Sequence, residues 1–407
     1  MSKKVLYISY DGMTDPLGQS QVLPYLRELS KNGYEFHLVS FEKHERFLDH
    51  KKHIQKICDD AGIFWHPQDY HIAGGLRRTF KQIRKMKKVA RYLHHRHSFQ
   101  IVHCRSYIAA MAGLNLKRKY NVKMIFDMRG FWADERVDGG LWSLSNPLYK
   151  MIYKYFKRKE IQYLNESDYT ISLTKAGMDE MLKWDGLQNK TPRIEIIPCC
   201  VDLNLFDTKN ITEKDQSQLR DTLNLKVNDY VLGYIGSIGT WYMLDEMLDY
   251  FKILKKHKPQ AKFLFVSGEQ PESIQQRALD KNIEPSDLII TSCLHQNVPL
   301  HISIFDLSIF FIKPTYSKKA SSPTKQGEIM AMGIPLICNS GVGDTDHIVE
   351  TYNAGKVVSA FDSKTLEEAI IDETRFDKSR IIEGAHDFFS LTEGTDKYLS
   401  VYRKLDE

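Results

Sequence analysis

Short apolar runs alternate with longer amphipathic ones along most of the chain. In the first half Val5–Ser9, Phe36–Ser40, Gln100–Cys104, Lys123–Asp127 and Asp168–Leu173 are predicted to be buried strands. In the second half Tyr230–Gly236, Phe263–Gly268, Leu288–Thr291, Asp306–Phe311 and Pro335–Cys338 repeat the pattern. Helical spacing of apolar residues predicts helices near Val22–Asn32, Arg77–Arg96, Lys325–Met332 and Phe388–Leu405. Val5–Ser9, the loop Tyr10–Gln21, the helix ending at Gly33 and Phe36–Ser40 form one βαβ unit. The fold class predicted is α/β. The polar, charged stretch Asp207–Asn228 reads as a linker between two halves.

Composition narrows the picture. A chain of 407 residues is long enough for two or three domains with cores of their own. Hydrophobic content of 42% and charged content of 27% are ordinary for a soluble globular protein. A net charge of +5 does not suggest a nucleic-acid binder. Met1-Ser-Lys-Lys leads straight into a strand, so no signal peptide is expected, and no apolar stretch approaches the ~20 residues needed to span a bilayer. The six cysteines show no C-x-x-C spacing and are expected to be buried thiols in a reducing cytoplasm.

Charge is unevenly spread. Arg77–Arg96 places Phe80, Ile83, Met86, Val89, Ala90 and Leu93 on one helical stripe and basic residues on the rest. Such a helix can rest on an anionic membrane surface or form the solvated face of an α/β helix; both remain open. A second basic run begins at Lys150. His94, His95 and His97 lack a placed carboxylate partner, and the end of a basic helix is favoured over a metal site.

Candidate chemistry gathers where strands end and helices begin. Thr324 is expected to cap the helix that follows Ser321-Ser322-Pro323. Lys325 at that helix start is at the wrong end for a cation on dipole grounds, and makes sense if it shares an anion with the backbone amides. Glu328 lies one turn further in, and Gly333 and Pro335 end the helix. Gly18 and Gln19 open a helix after the first strand, either as a phosphate loop or as an ordinary βα turn. His103, Arg105, Asp127 and Arg129 stand at strand ends, which face the crevice in doubly wound folds. Trp132 fills the core or packs against an acceptor.

The run Glu328-Ile-Met-Ala-Met-Gly-Ile-Pro335 resembles the Glu-x-Met-Ala-x-Gly-x-Pro signature of retaining, GT-B-type glycosyltransferases of family 4. Arg193–Phe206 is similar to the stretch that precedes the linker in that family, with Cys199-Cys200 in place of Asn-Gly. The resemblance implies two Rossmann-like doubly wound domains facing an interdomain cleft: 1–205 for the acceptor, 206–387 for the donor, and a final segment 388–407 crossing back. It implies that Glu328 binds the nucleotide ribose and that the Gly18-Gln19 loop approaches the donor diphosphate and sugar. Gly236, Ser237 and the amides of Ser321, Ser322, Thr324 and Lys325 join them in donor binding. Arg129 occupies the position of a frequent histidine near the transferred sugar, and Gly130 stands where an aspartate is common. Lys325, Arg129, His103 and Asp127 are the catalytic candidates.

Two departures stand out. The Arg and Lys usual after the glycine of the second half are absent, with Ser237 and Trp241 in that neighbourhood, and Lys325 is the nearest substitute. Ala320 replaces the first glutamate of the family's Glu-x7-Glu pair. The function implied is retaining sugar transfer from a nucleotide-diphosphate donor to a glycan or polyprenyl-linked acceptor in surface polysaccharide biosynthesis. The resemblance also implies a cytoplasmic enzyme, peripheral on the inner membrane face through Arg77–Arg96. No metal or cofactor beyond the co-substrate and no nucleic-acid partner are expected. Two alternatives remain: a sugar-nucleotide epimerase or hydrolase, and an inactive scaffold.

Overall fold

Two parallel sheets organise the computed structural model, which describes residues 3–70, 75–187 and 191–406, without the side chains of 75–77. Of the basic run predicted from Arg77, the side chain of Arg77 itself therefore lies outside the described residues. One compact unit comprises Met1–Cys199 and Leu391–Glu407; the other is Cys200–Ser390.

The first unit holds β1 (Lys3–Ser9), β2 (Tyr34–Lys43), β3 (Phe64–Tyr70), β4 (Ile101–Arg105), β5 (Lys123–Asp127), β6 (Tyr169–Ser172) and β7 (Ile194–Ile196). Their order is β3-β2-β1-β4-β5-β6-β7, with every pairing parallel. The second unit holds β8 (Tyr230–Ile235), β9 (Ala261–Val266), β10 (Leu288–Thr291), β11 (Leu307–Phe310), β12 (Leu336–Asn339) and β13 (Gly355–Val358). Their order is β10-β9-β8-β11-β12-β13, again parallel throughout. Each order reverses direction once, between β1 and β4 and between β8 and β11. That is the doubly wound arrangement, and the crevice outside the carboxyl ends of the strands at the reversal is where such sheets bind ligands. Register brings the relevant ends level: Ser9 pairs with Arg105, and Arg105 with Asp127.

Central strands such as β1 and β4 are buried on both faces because helices cover both. The three strands that the apolar pattern did not predict, β3, β7 and β13, are all sheet edges. Their half-exposed sequences, such as Phe64-Trp-His-Pro-Gln-Asp-Tyr70, carry no buried run. The helix expected at Val22–Asn32 is Leu23–Ser30, and the segment before it, expected as a loop, holds a short helix, Pro16–Gln21, set apart because Val22 leaves helical geometry at φ −129°.

The division falls at 199/200 rather than 205/206. Val201 donates its N–H to the Phe389 carbonyl at 2.7 Å, and both Val201 and Phe206 join the core of the second unit. The last helix begins at Leu391, not 388, after the break at Ser390. Tyr398 and Tyr402 of this helix, Leu391–Asp406, are buried in the first unit, and Tyr34 donates to Asp406 at 2.8 Å.

The basic helix spans Gly75–His97. Ile83, Met86, Ala90 and Leu93 are buried in the protein's own core, whereas Phe80, at the start of the same stripe, is 63% exposed. The His97 ring lies 4.1 Å from His37, and His94 lies 4.5 Å from Tyr120. Among the described residues no three His, Cys, Asp or Glu side chains gather where they could hold a metal ion.

Candidate active site

In the second unit the loop after β8 meets the start of the helix Thr324–Ala331. The helix begins one residue earlier than expected, so Thr324 is its first residue and not its cap. Pro323 takes the cap position and offers no side-chain bond. The Lys325 side chain turns inward. Its Nζ donates to Tyr234 Oη at 2.8 Å and lies 4.0 Å and 3.6 Å from the ring centres of Tyr234 and Tyr242. Burial pushes its ammonium well below the ordinary lysine range, although Glu328 opposes this. Aromatic faces stabilise a cation without neutralising it, so the charge stays available to an incoming anion.

The turn after β8 requires Gly236 for its conformation: it adopts φ +94°, whereas a Cβ there would meet Lys325 Nζ at an ordinary 3.5 Å. Tyr234 Oη donates to the Ser237 carbonyl at 2.6 Å and so pins the turn. Gly236 and Ser237 are exposed, and Ser321, Ser322 and Thr324 are half-buried. A cavity of about 470 Å³ lies along this loop, between Ile238–Glu246, Glu269, Arg277 and Lys313.

A second lysine enters from the turn Tyr316–Ala320. The Lys318 side chain is buried, with Nζ 3.8 Å from the Trp241 ring centre. Trp241 and Tyr242 are adjacent, so Lys318 and Lys325 both reach the loop that lacks its own cations. Sequence reasoning found Lys325 and missed Lys318; the only signal was a lysine two residues before Ala320.

Glu328 is paired. His295, just after β10, places Nε2 3.2 Å from Glu328 Oε1. That hydrogen bond raises the His295 imidazole above its ordinary range, against burial. His295 itself is largely exposed, so the pair can open to a ligand.

In the first unit Gly18 is buried inside the helix Pro16–Gln21. A Cβ on it would stand 2.3 Å from the Gly12 carbonyl oxygen, so glycine is what lets this loop fold back on itself. Gln19 Nε2 donates to the Thr14 carbonyl at 3.2 Å. The loop is further held by Glu42, which accepts from the N–H of Met13 at 2.8 Å and of Thr14 at 3.1 Å.

The strand-end candidates form one buried cluster. Asp127 Oδ2 accepts from Tyr398 at 3.2 Å and lies 3.7 Å from His103 Nε2 and 3.8 Å from Arg105. Its Oδ1 lies 3.9 Å from Arg129. Burial raises the Asp127 carboxyl, but Arg129, the neighbouring His103 ring and Arg105 outweigh it and hold it below its usual range. Burial lowers His103, whose Nδ1 is 2.7 Å from Tyr402 Oη. Of the four, Arg105 and Arg129 line a cavity of about 440 Å³, and His103 and Asp127 do not. Tyr398 and Tyr402 cover those two, so they do not face the crevice as expected of strand-end groups. Trp132 is half-buried: it packs on Phe156, with ring centres 4.8 Å apart, and also lines the cavity.

Both sheets, their reversal points and the sites at their carboxyl ends define a protein of the GT-B class. Residues 19–205 match the family model Glycosyltransferase Family 4, and residues 215–379 match Glycosyl transferases group 1. The chain belongs to the family 4, group 1 glycosyltransferases and is a glycosyltransferase. No curated protein sequence matches it. Sucrose-phosphate synthase from Thermosynechococcus elongatus is similar in structure, with a TM-score of 0.72 at 16% identity over 99% of both chains. A glycosyltransferase from Rickettsia africae ESF-5 gives 0.72 at 14% identity, covering 100% of this chain and 99% of that one. UDP-GlcNAc 2-epimerase from Neisseria meningitidis, bound to UDP-GlcNAc, gives 0.61 at 13% identity over 98% and 100%. At these identities the structural likenesses show the fold alone.

Proposed function

We propose that the chain transfers a sugar from a nucleotide-diphosphate donor to a glycan or lipid-linked acceptor, with retention at the anomeric carbon, in the building of a surface polysaccharide. The observation that carries this is Lys325: a buried ammonium at a helix start, held between Tyr234 and Tyr242 beside the Gly236 turn. The second unit takes the donor. Its diphosphate lies against Lys325, the amides of the helix start and Lys318, which stabilise charge developing on the leaving group. Glu328 exchanges His295 for the ribose hydroxyls. The bound UDP-GlcNAc of the similar epimerase is consistent with a nucleotide-sugar ligand on this fold.

The bond from the anomeric carbon to the phosphate oxygen breaks, and a bond to the acceptor oxygen forms on the same face. The acceptor proton passes to the leaving phosphate. No protein nucleophile is assigned, and a trapped glycosyl-enzyme adduct would refute this route. The test of the donor site is thermal unfolding against a panel of nucleoside diphosphates and their sugars. One base is expected to raise the apparent stability by about 2.7 kcal/mol at a hundredfold excess over Kd, and Glu328→Ala to abolish the shift. No shift with any nucleotide would sink the donor assignment. Turnover without acceptor would favour the epimerase or hydrolase reading.

The acceptor side is proposed to work at an anionic membrane surface. No described helix is long and apolar enough to cross a membrane. The helix Gly75–His97 offers its basic face and the exposed Phe80, the rest of its apolar stripe being buried or half-buried. The helix Pro147–Glu166 adds exposed Leu148, Met151 and Tyr155 beside Lys150 and Lys154. Basic side chains near anionic lipid gain roughly 1 kcal/mol each. The protein is expected to pellet with phosphatidylglycerol vesicles at low salt and less at high salt. Equal pelleting with neutral vesicles, or none, would refute the contact.

A further inference from the structure

We infer that the 440 Å³ cavity of the first unit is a subsite for an acceptor carrying an oxyanion, a phosphate or a carboxylate, held between Arg105 and Arg129. The inference rests on the sugar-transfer reading above and specifies its acceptor.

The two guanidiniums are buried, with side chains 3% and 9% exposed, yet neither meets a carboxylate at the 2.7–2.9 Å of a charge-assisted bond. They share Asp127 at 3.8 and 3.9 Å. Arg105 has Asp11 at 4.0 Å, a half-exposed carboxylate, and donates to the Gln21 carbonyl at 3.4 Å. Arg129 donates to Cys199 Sγ at 3.3 Å, and its Nη1 is buried without a hydrogen-bond partner among the described residues. A buried guanidinium with its donors unfilled is costly unless a ligand fills them.

Backbone strain falls at the same place. Arg129 has φ +58° and Ser106 φ +67°. Among the described residues, four of the other five non-glycine residues with positive φ are asparagines, which tolerate it. Arg129 and Ser106 instead both line this cavity, at the ends of β5 and β4. Strain of this kind persists where the surroundings hold a side chain in a required place.

The rest of the wall suits a saccharide. Tyr10, Phe41, Tyr70 and Trp132 supply aromatic faces, and Arg136, 4.9 Å from the Trp132 ring centre, adds a cation at the rim. The other lining acid, Asp15, is taken by Lys43 at 3.0 Å and Arg46 at 3.3 Å. An anionic sugar therefore meets two guanidinium forks that share a single carboxylate at the base, and rings along the side.

The test is calorimetric binding of glucose 1-phosphate, methyl glucuronide and neutral methyl glucoside to the full chain without donor. At least one anionic sugar is expected to bind at least tenfold tighter than the neutral one, and the better of the two identifies phosphate or carboxylate. Arg129→Lys and Arg105→Lys keep the charge but lose the planar fork, and each is expected to weaken that sugar by roughly tenfold. Both are expected to retain the nucleotide shift of the second unit, which shows that they fold. Equal binding of anionic and neutral sugars, or no binding of any up to ~10 mM, overturns the inference in the unaltered chain even if a variant fails to fold. If anionic sugars bind but no nucleotide does, the donor assignment fails and this site stands.

Discussion

Lys325→Met is expected to lower kcat/KM by roughly 10²–10³, about 2.7–4 kcal/mol of transition-state stabilisation, with no loss of thermal stability. The two halves of this expectation have separate causes. Activity falls because the ammonium faces the loop where the leaving diphosphate is proposed to lie. Stability is spared because methionine keeps much of the volume while removing a charge whose burial is unfavourable. The Tyr234 hydroxyl still donates to the Ser237 carbonyl, so losing the lysine leaves no buried donor unpaired. The depressed ammonium also sets a pH dependence. An arriving diphosphate favours the charged form and raises the Lys325 pKa, so donor binding takes up a proton. Affinity then rises as pH falls between the bound and free values. Calorimetry in buffers of different ionisation enthalpy measures that uptake. Full activity in Lys325→Met, or binding that moves no proton, would remove Lys325 from the donor site.

Asp127→Asn is expected to destabilise the protein by about 3–5 kcal/mol, because it leaves Arg105 and Arg129 buried without their shared carboxylate. Asp127 is 0% exposed, so water cannot replace it. A loss of that size lowers the midpoint of thermal unfolding by on the order of ten degrees. Its depressed pKa gives the same dependence in acid. The unfolded chain binds its proton at the ordinary carboxyl range, so this contribution is present above that range and lost as pH falls through the lower folded value. A change of only a degree or two in Asp127→Asn would show that the arginines are held by other groups. Asp127 is thus expected to act by positioning the arginines, as a base could not from beneath Tyr398 and Tyr402.

The resemblance of Glu328–Pro335 and Arg193–Phe206 to one family led to the same two-unit fold that the strand orders display. Local pattern carried most of it: the central β5 and the edge strand β10 have the predicted limits, and most of the other predicted strands differ by a residue or two. A strand covered on both faces must be apolar on both, so its burial is written in consecutive residues. Edge strands are not so constrained, which is why β3, β7 and β13 carried no signal. The expected division at 205/206 missed because Val201 and Phe206 belong to a core that forms only when Phe389 arrives from far along the chain.

The candidate site divides in the same way. A lysine and a glutamate three residues apart at a helix start are a local feature, and the sequence alone identified Lys325 and Glu328. That Tyr234 and Tyr242 enclose the lysine, that Lys318 reaches Trp241, and that His295 holds Glu328 depend on strands and loops converging at one sheet end. The same holds for Arg105 and Arg129, which are level only because β4 and β5 pair in register, and for His103 and Asp127, hidden by a helix from the chain's far end. Periodicity reports whether a residue is buried. Strand order and register decide what it is buried against, and these are set by pairings between strands distant in sequence, with Tyr398 and Tyr402 arriving from hundreds of positions away.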